Sequence, residues 1–219
     1  MTLYERKTQL LAWLLAAVAG YVDGSGFMVI GGYFVSFMSG NSTRTAVEFV
    51  HEPSSVGIGG GLICSFLLGV ITGALVGHAA GERRPPVVLA YTALLLAVAA
   101  ASSHSGPPLL TTVVMAGAMG ALNNVFERKG EVSIALTYVT GSLVKLGQQI
   151  ATACLGGPPF GWVSYLGLWF SLVTGVAIAA ATFPTVGLTG LWGTSALLVG
   201  LAALTWFTDT VRGVERHLT

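Results

Sequence analysis

Long apolar stretches separated by short polar breaks dominate this sequence. A helix needs about 20 mainly apolar residues to cross the hydrocarbon core of a bilayer. Charged or proline-containing turns mark several of the breaks, as at residues 82–86 (Glu-Arg-Arg-Pro-Pro), 127–130 (Glu-Arg-Lys-Gly) and 183–184 (Phe-Pro). The pattern predicts transmembrane helices over residues 8–29, 57–80, 87–104, 108–126, 162–183 and 187–208.

Two further segments, residues 30–50 and 131–153, are long enough either to cross the membrane or to enter it and return. Cytoplasmic loops of membrane proteins carry an excess of Lys and Arg. With six crossings and a cytoplasmic N-terminus, only Arg44 falls outside, whereas eight crossings would move residues 83–84 and 128–129 outside together. We therefore predict six crossings, two re-entrant segments and cytoplasmic termini. The cytoplasmic cations are then Arg6, Lys7, Arg83, Arg84, Arg128, Lys129, Lys145, Arg212 and Arg216.

The chain also contains a weak internal repeat. Residues 20–23 (Gly-Tyr-Val-Asp) align with 120–123 (Gly-Ala-Leu-Asn), and after one gap 36–41 (Ser-Phe-Met-Ser-Gly-Asn) align with 137–142 (Thr-Tyr-Val-Thr-Gly-Ser). Identity is low, but the rare polar positions carry chemically similar residues. The same register pairs Arg44 with Lys145 and Glu48 with Gln149.

This repeat divides the chain into two halves, residues 1–105 and 106–219. Three crossings in each half make the halves enter the membrane from opposite sides. Many transporters have such inverted repeats, with the binding site near the midplane where broken helices meet. The predicted fold class is an all-α polytopic membrane protein with a 3+3 inverted repeat.

Each half has an extended stretch followed by a short helix in its re-entrant segment. Residues 33–38 and 132–139 are rich in aromatic and β-branched side chains, which favours extended backbone. Ser, Thr and Asn are strong N-cap residues, so helices are predicted to begin near Ser39 and Thr140 and to run to about residues 50 and 153. Their N-termini would point toward the midplane, where free N–H groups favour an anionic or electron-rich group.

The polar and charged residues around these two N-termini form the candidate substrate-binding site. They either face a solute or only cap the short helices. Arg44 has two candidate ion-pair partners, Asp23 and Glu48, and Asp23 is either a proton-coupling carboxylate or the residue that neutralises Arg44. The candidate residues are Asp23, Phe37, Ser39, Gly40, Asn41, Arg44, Asn123, Asn124, Tyr138, Thr140, Gly141, Ser142 and Lys145.

Two ridges of small residues predict close helix packing. One has a small residue at every fourth position from Gly61 to Gly81, and the other from Gly167 to Ala179. Small residues let helices approach closely in lipid. The ridges join helices either within one chain or between two chains, so a homodimer is one of the alternatives.

Cys64 and Cys154 lie in apolar stretches and are predicted to be small buried side chains.

Composition narrows the function classes. Only 9% of the residues are charged and the net charge is +1, which gives no sign of nucleic-acid binding. No Ser/His pair, paired carboxylates or His-rich cluster indicates an enzyme, and no cofactor is expected. The expected partners are the lipid bilayer and a small-molecule or anionic substrate.

The motif at residues 20–23 followed by 31–41 (Gly-Gly-Tyr-Phe-Val-Ser-Phe-Met-Ser-Gly-Asn) resembles the signature of the YoaK-like family of uncharacterised bacterial membrane proteins. Residues 120–124 and 137–142 resemble that family's second signature. The resemblance implies a bacterial inner-membrane protein and supplies no substrate. The leading hypothesis is a transporter of a small polar or anionic solute. The alternatives are a small-solute channel and a non-transport assembly or sensor component.

Overall fold

A computed structural model of the protein describes residues 6–128, 131–132 and 136–208, and nearly all of them are helical. Short 3-10 turns precede or follow several helices, and β1 (Glu127–Arg128) pairs with β2 (Glu131–Val132). The helices of the described residues are α1 (Arg6–Val29), α2 (Met38–His51), α3 (Val56–Ala80), α4 (Arg84–Ser102), α5 (Pro108–Leu122), α6 (Val139–Cys154), α7 (Val163–Val186) and α8 (Gly190–Phe207).

Four helical stretches in the described residues are long and apolar enough to cross a membrane: Arg6–Val29, Pro53–Ser102, Pro108–Phe126 and Val163–Phe207. The second and fourth contain 50 and 45 residues, and each bends at a glycine with φ of +56°, Gly81 and Gly187. The break predicted at residues 183–184 is wrong, because α7 continues through Pro184 to Val186. A proline removes one helical hydrogen bond, whereas a glycine at positive φ turns the chain.

α1 packs along α7 with the two helices running in the same direction. The Trp13 indole N–H donates to the Ser164 carbonyl at 3.1 Å, near the start of both helices. Further along, Gly20 lies against the Leu172 backbone. This contact is so close that a Cβ at Gly20 would overlap the Leu172 carbonyl.

α3 and α5 pack in the same way, again in parallel. The Ser65 hydroxyl donates to the Val113 carbonyl at 2.6 Å, and Gly69 lies against the backbone of Gly117 one turn further on. The two ridges of small residues therefore join helices within one chain, the first of the two predicted alternatives. α4 runs antiparallel to α8. The Arg83 guanidinium just before α4 lies over the ring of Trp206 near the end of α8, and the Ser195 hydroxyl donates to the Ala93 carbonyl at 2.8 Å.

α2 and α6 are much shorter than the other helices, with 14 and 16 residues. At 1.5 Å per residue they are about 21 and 24 Å long, less than the hydrocarbon thickness of about 30 Å. α2 packs on α3 and α6 packs on α7, and both leave an apolar outer face exposed.

Cys64 and Cys154 are exposed, so their predicted burial is wrong. Both lie on the outer surface of the helices, where an apolar side chain of a membrane protein faces lipid rather than a protein core. Of the predicted extended stretch 33–38, residues 33–37 are non-helical with a bend at residues 35–36, and Met38 begins α2. Residues 133–135 of the second predicted extended stretch, 132–139, lie outside the described part of the chain.

Candidate functional site

The connection between α1 and α2 turns back along α1 and is held there by Asp23. The Asp23 carboxylate oxygen Oδ1 accepts hydrogen bonds from the backbone N–H groups of Val35 and Ser36, each at 2.8 Å. Asp23 precedes the end of α1 by six residues, or about 9 Å. The connection therefore runs back about 9 Å along α1, to the level of Asp23, before α2 begins.

Asn41 binds the same connection from the first turn of α2. Its side-chain carbonyl accepts from the Phe34 N–H at 2.9 Å, and its amide donates to the Phe34 carbonyl at 2.6 Å. Asn41 is fully buried. Non-helical backbone at membrane depth requires such internal partners. Asp23 and Asn41 thus provide partners for the N–H groups of three successive residues, 34–36, and for the Phe34 carbonyl.

Arg44 pairs with Glu48 and not with Asp23, which decides between the two predicted partners. Arg44 Nε lies 2.8 Å from Glu48 Oε1, and its Nη1 donates to the Gly31 carbonyl at 2.8 Å. The guanidinium lies over the Tyr33 ring, 3.8 Å from its centroid. The Tyr33 hydroxyl in turn donates to Glu48 Oε2 at 2.6 Å. Arg44 therefore fastens α2 to the preceding connection.

We expect Glu48→Ala to lower the melting temperature of the detergent-solubilised protein by several degrees. The change leaves both the Arg44 guanidinium and the buried Tyr33 hydroxyl without their carboxylate partner. Gln149→Ala is the matched control, because Gln149 is the aligned residue on α6 and makes no side-chain hydrogen bond within the described residues. Equal melting temperatures for the two variants would contradict a fastening role.

In the second half, Asn123 occupies the place of Asp23. Its Oδ1 accepts from the Thr137 N–H at 3.4 Å and its amide donates to the Met119 carbonyl at 3.0 Å. Asn124 reaches another helix, where its amide donates to the Val70 carbonyl of α3 at 3.1 Å. The two neighbouring asparagines therefore have different roles, one on the connection to α6 and one on the α3–α5 contact.

Lys145 differs from Arg44 in having no ion pair or hydrogen bond within the described residues. Its closest described aromatic contact is the Tyr165 ring, with Nζ 6.0 Å from the centroid. The Lys145 side chain is exposed on α6. Of the two predicted site cations, Lys145 is thus the one left available to a ligand.

The short helices begin one residue before the predicted caps, and the capping prediction is wrong. The N-cap residues are Phe37 and Tyr138, and neither makes a side-chain capping hydrogen bond. Each aromatic ring instead lies against the glycine three residues on, Gly40 or Gly141, where a Cβ would overlap it. The aromatic-x-x-Gly spacing, which is present in both halves, is the sequence signal that the prediction missed.

Ser39 and Thr140 lie exposed in the first turns, and the Ser142 hydroxyl donates to the Tyr138 carbonyl of its own helix at 3.3 Å. No hydrogen bond or ion pair within the described ranges joins the candidate residues around the start of α2 to those around the start of α6. A shallow groove of about 460 Å³ runs between α2 and α3, and one of about 370 Å³ lies beside the end of α6.

Comparison with known proteins gives a family without an assigned activity. The model of a family described as "Protein of unknown function (DUF1275)" matches residues 11–204. A UPF0700 transmembrane protein of Rhizobium meliloti (strain 1021) is 35% identical over 205 residues, which cover 91% of this chain and 88% of the relative. No solved structure matches significantly. The predicted membership of an uncharacterised membrane-protein family is thereby confirmed, and the chain belongs to the DUF1275 family.

Proposed function

We propose that the protein is a transporter of a small polar or anionic solute in the bacterial inner membrane. The observation that carries the proposal is the pair of short helices, α2 and α6, whose N-terminal ends lie beside buried polar residues of long helices. Broken elements of this kind form the solute sites of many transporters. Helices of 14 and 16 residues are too short to cross, which supports six crossings and two re-entrant segments.

The helix packing supports an inverted repeat. Gly69 of α3 lies against the backbone of Gly117 in α5, and Gly175 of α7 lies against the backbone of Ala17 in α1. The two contacts match when α3 is aligned with α7 and α1 with α5. The first helix of each half therefore packs against the third helix of the other half. This packing holds the two halves together, as a binding site between the halves requires.

An anionic group is the preferred cargo because of the exposed cation on α6, Lys145. The first turn of a helix offers free N–H groups and a positive dipole end. Lys145 lies on α6, six residues or about 9 Å beyond its first residue, without an ion-pair partner among the described residues. An anion bound near the start of α6 would interact with both the free N–H groups and the Lys145 ammonium.

One observation favours a second candidate, a non-transport assembly component. Asp23, Asn41 and Asn123 all bind the protein's own backbone, as expected of residues that serve only the fold. A carrier closed to both sides has the same arrangement between transport steps. A transporter is expected to bind a solute and an assembly component is not, so a binding measurement distinguishes the two candidate functions.

We expect one class of solute to raise the melting temperature of the purified protein, in a panel of inorganic anions, organic acids, nucleobases, sugars and neutral solutes. A ligand present at 100 times its Kd stabilises the folded state by about 2.7 kcal/mol. Lys145→Ala should abolish the shift, whereas Gln148→Ala, an exposed neighbour on α6, should keep it.

The solute found in this way is then tested for saturable uptake into proteoliposomes. Saturable uptake that Lys145→Ala reduces supports a carrier, and unsaturable flux would instead indicate a channel. If no solute class shifts the melting temperature and none is taken up, the transporter proposal is wrong and the assembly role stands.

A further inference from the structure

Asp23 is a carboxylate buried in a helix that crosses the membrane in the proposed topology. Its residue exposure is 9%, and it accepts hydrogen bonds from the Val35 and Ser36 N–H groups. The Ser36 hydroxyl and the Phe37 N–H also interact with the carboxylate. Ionisable residues within transmembrane helices are costly, and they usually mark ion or proton pathways. The question is therefore what balances the charge on Asp23.

The described surroundings of Asp23 contain no cation that balances it. The long helices that pack on α1 are α5, α7 and α8, and among their residues only Tyr165 is titratable. Tyr165 adjoins Ser164, which contacts Trp13, ten residues or about 15 Å away from Asp23 along α1. The other charged or titratable groups of α1, its connection and α2 are Arg6, Lys7, Tyr21, Tyr33, Arg44, Glu48 and His51.

None of these groups forms an ion pair with Asp23. Arg6 and Lys7 lie at the opposite end of α1, at least 16 residues or about 24 Å away. Arg44 is paired with Glu48, so that cluster carries no spare positive charge. The N–H groups of residues 35–37, the Ser36 hydroxyl and the start of α2 are thus the described groups that stabilise the anion. The same position in the second half holds the neutral Asn123, with an equivalent bond to its connection.

We propose that Asp23 is the proton-binding site of the protein and that its protonation releases residues 33–37 from α1. This inference rests on the proposed function and names the proton as the coupling ion. A proton from water adds to the carboxylate, no covalent bond is broken, and the group becomes neutral as Asn123 is. A neutral carboxyl is a weaker acceptor than a carboxylate, so the bonds to Val35 and Ser36 weaken.

Release of this stretch frees the start of α2, because Asn41 binds Phe34 in the same stretch. The second half has no titratable group at the aligned position, since Asn123 cannot take up a proton. Proton binding therefore acts on one half alone. A carrier built in this way opens the α2 side when Asp23 is protonated.

The test is the accessibility of Val35, which is fully buried, to a water-soluble maleimide. Val35→Cys is made in a background with Cys64→Ala and Cys154→Ala, and the protein is reconstituted in liposomes. Ser54→Cys, in the exposed turn before α3, corrects for the pH dependence of the thiol reaction itself. The ratio of the two labelling rates should rise about tenfold between about pH 8 and pH 4.5, as expected when an opening equilibrium loses one charge-assisted hydrogen bond.

The matched variant is Asp23→Asn, which keeps an acceptor for the two N–H groups and has Asn123 as its precedent in the fold. Its labelling ratio should be independent of pH. A ratio that does not change with pH in the Asp23 protein, or that changes equally in Asp23→Asn, overturns the proposal. The measurement needs no solute, so its failure leaves the transport test standing, and a failed solute panel leaves this result standing.

Discussion

Replacing Gly69 with alanine is expected to destabilise the protein by about 3 kcal/mol, the upper range for overpacking a tight contact. The added Cβ would overlap the backbone carbonyl of Gly117, which cannot move aside as a flexible side chain can. α3 and α5 must then separate along their whole contact. Thermal unfolding in detergent should show a melting temperature lower by about 6 to 12 °C.

Gly175→Ala should have the same effect, because its Cβ would overlap the carbonyl of Ala17 in the matching contact between α7 and α1. Gly60→Ala is the control, since a Cβ there meets no atom within 4 Å. Alanine favours a helix over glycine by about 1 kcal/mol, so the control should be unchanged or slightly more stable. Equal melting temperatures for Gly69→Ala and Gly60→Ala would show that this contact does not hold the helices together.

Most of the long apolar helices could be predicted from the sequence because the breaks between them have a strong chemical signal. The end of α3 follows from the run of charges and prolines after Gly81, and the predicted span 57–80 differs from α3 by one residue at its start. The end of α7 was misplaced because Pro184 is a stronger local signal than Gly187, although the glycine makes the turn. Composition alone does not tell a tolerated proline from a helix break.

The site was less predictable, for two physical reasons. Arg44 had two acidic candidates, and only the fold shows that Glu48, one turn away on the same helix, is close enough while Asp23 is taken by backbone groups. The burial of Cys64 was inferred from its apolar neighbours, but apolar residues of a membrane protein also face outward. Hydrophobicity in this setting indicates depth in the membrane and not position in the core.

The second large effect is expected at Asn41. Asn41→Ala removes both hydrogen bonds to Phe34 and leaves an N–H and a carbonyl of the connection without partners. Each buried unsatisfied group costs about 1–3 kcal/mol, so the loss should be about 4 kcal/mol. The melting temperature should fall by about 8 to 16 °C. Labelling of Val35→Cys should rise in this variant at every pH, because Phe34, next to Val35, then has no partner on α2, and Asp23 and the Tyr33–Glu48 bond hold the stretch without it.

Ser142→Ala is the matched change in the second half, and its effect should be small. Ser142 is also buried, but its hydroxyl donates to the Tyr138 carbonyl of its own helix and makes no described bond to the connection. A large difference between the two variants would mean that the connection before α2 is held by side chains that the other half lacks. The two halves would then share helix packing, while the first turn of α2, and not that of α6, is tied to its connection by a side chain. Similar losses in both variants would contradict that asymmetry and would leave α2 and α6 as equivalent structural elements.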